Sequence, residues 1–265
     1  LTGVRFLSGH AKIDARRIGL AGHSEGGLIA PLVAARTDEI AFIVMLAGPG
    51  LPGSQILEQQ ARLIGEAAKR PEWFLDWNHK VQLEMFRIIG EHEDPVEGRK
   101  QLGAQLDDWM AMVPDEHAFT RDTLRAQLEG QFDSITSPWF RYFLSHDPAP
   151  VLQQVPCPVL ALFGSKDLQV PAEENKLAVL KALEKGHNQF STARVFDDLN
   201  HLFQACQTGS PVEYGSIEET FNEQALNYMV DWIVRQTETE PVRLSQRRRL
   251  RRWQGRALGR ESTVE

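Results

Sequence analysis

The stretch Arg17-Ile-Gly-Leu-Ala-Gly-His-Ser-Glu-Gly-Gly-Leu-Ile-Ala-Pro-Leu-Val-Ala-Ala-Arg36 constrains this chain more than any other. Its apolar run over 18–21 reads as a buried strand. The run breaks at Gly22-His23-Ser24-Glu25-Gly26 and resumes over 26–36 as an Ala-rich segment that reads as a helix. G-x-S-x-G between a strand and a helix is the sequence form of a turn that holds a serine hydroxyl out as a nucleophile. A backbone that doubles back this sharply has little space for neighbouring side chains, so Gly22 and Gly26 are expected to leave the room. The helix after Ser24 points its first N–H groups, that of Glu25 foremost, to where an oxyanion would develop. A chance match in an unrelated turn would lack both flanking patterns.

Downstream, the run over 40–47 is continuously apolar, as expected for a strand buried on both faces of a parallel sheet. Gly48-Pro49-Gly50-Leu51-Pro52-Gly53 ends it. From 54 to 149 the pattern changes to apolar residues at helical spacing, over 55–69, 73–89 and 96–112, punctuated by Pro71, Pro95 and Pro114. The sheet pattern returns at 158–163, a helix opened by Pro171 follows over 172–185, and 191–196 is a last short strand. An amphipathic helix over 218–235 closes the pattern. Alternating strands and helices of this length predict an α/β fold with a parallel sheet. Residues 1–53 and 150–240 form its core, and 54–149 are a helical cap inserted into it.

A serine nucleophile needs a base to take its proton and an acid to orient that base. Asp167 follows the strand over 158–163, and His201 lies in the loop after the strand over 191–196. Parallel strands share a carboxyl edge, so both can converge on Ser24 in the order Ser, Asp, His. Asp197 and Asp198 are rivals as partners of His201, with a solvated surface pair as their plainer reading. His23 is too close to Ser24 in the turn to act as its base but is a candidate substrate contact. The aromatic segment Ser137-Pro-Trp-Phe-Arg-Tyr-Phe-Leu144 offers Trp139, Phe140 and Phe143 as walls of a substrate pocket, or as core of the cap.

Composition narrows the partners. A net charge of −7 argues against general nucleic-acid binding. No run reaches membrane-spanning length. Two cysteines suggest no disulfide framework, so a reducing cytoplasm is the expected setting. Because the sequence opens on Leu1, a signal peptide ahead of it stays open. The basic run Arg247-Arg248-Arg249-Leu250-Arg251-Arg252 within 241–265 reads as a disordered tail or a non-native extension, with an anionic-surface patch as the alternative.

These motifs together resemble the α/β-hydrolase superfamily, in particular its bacterial serine esterase and acyl-hydrolase branch, akin to prolyl-oligopeptidase-like and dienelactone-hydrolase-like enzymes. The resemblance is carried by Gly22-His-Ser-Glu-Gly-Gly-Leu-Ile-Ala-Pro31, Leu46-Ala-Gly-Pro-Gly50, Ser137-Pro-Trp-Phe-Arg-Tyr142, Gly164-Ser-Lys-Asp-Leu-Gln-Val-Pro171 and Leu199-Asn-His-Leu-Phe-Gln204. It implies hydrolysis of small carboxylic esters through an acyl-enzyme on Ser24, without metal or organic cofactor. A peptidase or thioesterase using the same three residues is the alternative. The sequence departs from the family in one respect. The family has several strands and a helix before the nucleophile strand, whereas about 17 residues precede it here. That departure implies an N-terminally truncated hydrolase, without the loop that supplies a second oxyanion donor, whose nucleophile strand becomes a sheet edge with an apolar flank. It leaves open whether this chain acts alone or as an interaction surface.

Overall fold

The computed structural model describes residues 1–238. Four parallel strands, β1 (Leu20–His23), β2 (Ile43–Leu46), β3 (Val159–Gly164) and β4 (Ser191–Phe196), form one sheet in sequence order. Eleven helices are formed among the described residues. A short α1 (Thr2–Ser8) precedes the sheet, and α2 (Glu25–Ala34) connects β1 to β2. Between β2 and β3 the chain is helical: α3 (Gly53–Ala67), α4 (Glu72–Glu91), α5 (Pro95–Ala111), α6 (Arg121–Glu129), α7 (Phe132–Ile135), α8 (Pro138–Ser145) and α9 (Ala149–Leu152). Helix α10 (Ala172–Lys185) connects β3 to β4, and α11 (Glu223–Glu238) follows β4.

The side-chain period of two explains the buried strands. In β2 and β3, Ile43, Met45, Val159, Ala161 and Phe163 point into one core, while Val44, Leu160 and Leu162 point into another. Strands stacked in sequence order send their crossovers over the same face when each keeps the usual right hand. Accordingly Ala30 and Ala34 of α2, Leu152 of α9 and Val179 and Leu183 of α10 all meet the first core. The opposite face is covered by Ala225 and Trp232 of α11. A third core is purely helical: Trp77, Val81, Ile88, Leu102, Trp109 and Leu128 pack among α4, α5 and α6, with the Trp77 indole donating to Trp109 O at 2.9 Å.

Several boundaries differ from the sequence expectation, and the ladder explains why. The strand expected at 18–21 is paired at Leu20–His23, because Leu20, Ala21, Gly22 and His23 register with Ile43, Val44, Met45 and Leu46. Ser24 N–H adds a last bond to Leu46 O at 2.8 Å, so the serine sits directly at the strand end. The apolar run over 40–47 is buried almost throughout, yet only Ile43–Leu46 has strand partners on both sides. The closing helix, expected over 218–235, is formed as Glu223–Glu238. As expected, among the described residues β1 pairs only with β2 and is a sheet edge; it is short and carries the exposed Ala21. The basic stretch 241–265 lies outside the described residues.

Glycine packing also corrects a detail. A Cβ on Gly22 would lie 2.0 Å from Gly26 O, and one on Gly27 would lie 2.5 Å from Gly48 Cα, whereas nothing lies within 4 Å of a Cβ on Gly26. The close approaches at this turn therefore belong to Gly22 and Gly27. Gly22→Ala and Gly27→Ala should each cost at least about 1–3 kcal/mol, because the obstructing atoms are backbone. Gly26→Ala, on a helix with open space, should be neutral or stabilising by up to about 1 kcal/mol. Thermal denaturation of the three variants checks this contrast.

Candidate active site

The turn between β1 and α2 places Ser24 at φ 53°, ψ −115°, a conformation that L-residues rarely adopt. The strain is held by bonds on both sides, Ser24 N–H to Leu46 O and Gly27 N–H to Ser24 O, both 2.8 Å. Ser24 precedes α2 without a side-chain cap bond, so its hydroxyl is not used by the helix. Glu25 opens α2, where a first-turn N–H has no acceptor within the helix.

Asp167 lies in the turn after β3 and is buried. Its Oδ1 accepts from Gln169 N–H at 2.8 Å and Val170 N–H at 2.9 Å, and its Oδ2 meets His201 Nδ1 at 2.8 Å. A carboxylate with this many donors is fixed in position. Because the carboxylate accepts, His201 Nδ1 carries the hydrogen. The neutral ring then keeps Nε2 as an acceptor. His201 is 4% exposed, so the pair is shielded from the water that would weaken it. Of the candidate acids, Asp167 is the one that holds His201. Asp198 instead pairs with Lys166 Nζ at 2.7 Å on the surface.

The loop carrying His201 is built around residues the sequence reading did not single out. Asn200 is fully buried; its Oδ1 accepts from Leu202 N–H and Gln204 N–H, and its Nδ2 donates to Gln204 Oε1. Ser165 Oγ accepts from Asp198 N–H at 2.8 Å, which ties the turn after β3 to the loop after β4. Asn175, also fully buried, accepts from Gly50 N–H and Leu51 N–H and so pins the loop after β2 to α10. The available signal was an Asn one residue before the candidate His, a type that turns and brackets loops.

His23 is the direct link from the nucleophile turn to the histidine loop. Its Nε2 lies 2.8 Å from His201 O, and the two rings are 4.7 Å apart. Since a carbonyl only accepts, Nε2 donates there and is committed to the His201 loop. Partial burial pushes His23 below the usual imidazole value of 6.5, outweighing the pull of the His201 carbonyl toward the charged form.

Trp139, Phe140 and Phe143 are separated by the structure. Phe140 packs on the helical core and lies near Phe86, and Phe143 packs on the sheet core. Trp139 stays half exposed, stacks on Phe143 at 5.6 Å and donates from Nε1 to Glu25 Oε1 at 2.6 Å. Helix α8 thus reaches across to the residue after the serine. Among the described residues no group of three or more His, Cys, Asp or Glu could hold a metal ion, and no helix is long and apolar enough to cross a membrane.

A folded-state value lowered below 6.5 means that the unfolded chain binds the His23 proton more readily. The stability that His23 contributes is therefore present above about pH 6.5 and is lost as pH falls through that value toward the lower folded one. The melting-temperature advantage of wild type over His23→Gln should narrow as pH is lowered through this window, as paired thermal melts would record.

The profile of the family described as BAAT / Acyl-CoA thioester hydrolase C terminal matches residues 2–101. Esterase EstD of Thermotoga maritima is 25% identical over 221 residues, which cover 82% of this chain and 43% of that protein. The chain thus spans less than half the length of this curated relative. Among solved structures, the Pyrococcus furiosus esterase Pf2001 shares 14% identity at a TM-score of 0.44, over 88% of this chain and 58% of that one. The alpha/beta hydrolase GrgF from Penicillium sp. sh18 shares 15% at a TM-score of 0.47, over 90% and 70%.

Proposed function

We propose that this chain, a four-stranded parallel α/β fold similar in sequence to an acyl-CoA thioester hydrolase family and to an esterase, is a serine hydrolase of the α/β-hydrolase superfamily that cleaves small carboxylic esters through an acyl-enzyme on Ser24. The observation that carries this reading is the buried 2.8 Å bond between Asp167 and His201, whose loop contacts the neighbour of a strained serine. In the proposed sequence, Ser24 Oγ attacks the ester carbonyl while His201 Nε2 takes its proton. Asp167 holds the ring in the required tautomer and stabilises its charged form. The oxyanion meets the Glu25 N–H at the head of α2; one such donor typically contributes about 10²–10³ in rate. Collapse breaks the C–O bond, and the alcohol departs with the proton from His201. Water, deprotonated by the same nitrogen, then attacks the acyl-enzyme to release the acid and restore Ser24. Hydroxyl–imidazole bonds of this kind often tighten only around substrate, so the absence of a Ser24–His201 bond among the described residues is compatible with the roles assigned.

Two positioning roles follow. His23 anchors the His201 loop, and Trp139 anchors α8, from the inserted helices, over the nucleophile turn. The inserted helices act as a cap whose α8 borders the substrate. A thioester substrate is the second reading, favoured by the match of residues 2–101 to an acyl-CoA thioester hydrolase family.

Ser24→Ala should abolish hydrolysis of p-nitrophenyl esters, and Asp167→Asn should lower kcat by about 10⁴-fold with the fold intact by circular dichroism. An unchanged rate in Ser24→Ala overturns the proposal. Turnover of acyl-CoA that exceeds turnover of the matched ester would favour the thioester reading. Trp139→Phe keeps the stacking on Phe143 but loses the Glu25 bond, and should raise KM several-fold with a smaller change in kcat, as steady-state kinetics would show.

A further inference from the structure

A concavity lies among the helices between β2 and β3, where the start of α4 meets the turn at Asp115–Thr120 and α6. Its volume is about 400 Å³, within the range of small-molecule sites, about 300–1,000 Å³. None of its lining residues belongs to the nucleophile turn or to the Asp167 and His201 loops. Its walls are aromatic planes. Trp73 and His117 stack at 4.4 Å and 15°, Phe74 stands edge-on to Trp73, and Phe119 stands edge-on to His117. Phe119 is 81% exposed at the rim, so one face of its ring is open to a ligand.

The charge of the site has one sign. Arg70 lines it, with its guanidinium 5.2 Å from the Phe74 ring centroid, and forms no ion pair among the described residues. Among the described residues no carboxylate lines the cavity. Thr120, Thr123 and Gln127 add neutral polar groups to the lining.

We propose that this cavity binds a small aromatic carboxylate, independently of the chemistry at Ser24. The ring of the ligand stacks among Phe119, His117 and Phe74, and its carboxylate pairs with the Arg70 guanidinium, which is itself held over an aromatic face. The flat walls select an aromatic over an aliphatic body, because offset stacking rewards ring faces beyond their area. The unpaired Arg70 selects an anion over a neutral or cationic head group.

Calorimetric titration of the full chain with 2-naphthoate tests this. Saturable binding at one site per chain is expected, weakened about ten- to hundredfold by Arg70→Met and weakened also by Phe119→Ala. Both side chains are exposed, so the variants should keep the wild-type melting temperature. Cyclohexanecarboxylate and 2-naphthalenemethanol should each bind more weakly than 2-naphthoate. No saturable binding, binding indifferent to Arg70→Met, or equal binding of cyclohexanecarboxylate would each overturn the proposal.

Discussion

The backbone of Ser24 is the constraint on which the rest of the site depends. A serine at positive φ lies outside its ordinary conformations, at a cost of roughly 1–3 kcal/mol that the surroundings must offset. Here the strand ladder supplies Leu46 O on one side, the first turn of α2 supplies Gly27 N–H on the other, and Gly22 leaves the gap through which the chain doubles back. The same geometry sets Ser24 at the carboxyl end of β1 and at the head of α2, whose first N–H groups have no acceptor within the helix. A relaxed backbone at this one residue would lose both at once.

The parallel sheet brings that local turn together with two loops. The turn after β3 carries Asp167, the loop after β4 carries His201, and both leave the same edge as β1. The two loops are joined by Asp198 N–H on Ser165 Oγ and by the Lys166–Asp198 ion pair, and His23 ties them to the nucleophile turn. The exposed ion pair contributes little to stability, whereas the buried Asn200 network fixes where His201 stands. From the other side, α8 joins two cores through Phe140 and Phe143 and offers Trp139 to Glu25.

Much of this was legible in the sequence because the relevant signals are local. Continuous apolar runs marked β2 and β3, glycine and proline runs marked their ends, and the G-x-S-x-G turn marked Ser24. Asp167 and His201 were readable as residues just beyond strands, since a parallel topology brings such positions together. What escaped depends on contacts distant in sequence. The roles of Asn200 and His23 rest on where loops cross, and the Trp139–Glu25 bond spans 114 residues. The pentapeptide pairs Gly26 with Gly22 as tight positions, but the close approach falls on Gly27, which meets the loop after β2. Strand ends moved by one to three residues because hydrogen-bond partners, rather than apolar character, decide where pairing stops.

The most direct measurement is fluorophosphonate labelling of the folded chain, with the adduct located by mass spectrometry. The account predicts a single adduct on Ser24, formed much more slowly after His201→Ala. An adduct on another residue, or none on a cooperatively folded sample, would contradict the claim that these three side chains form a working nucleophile.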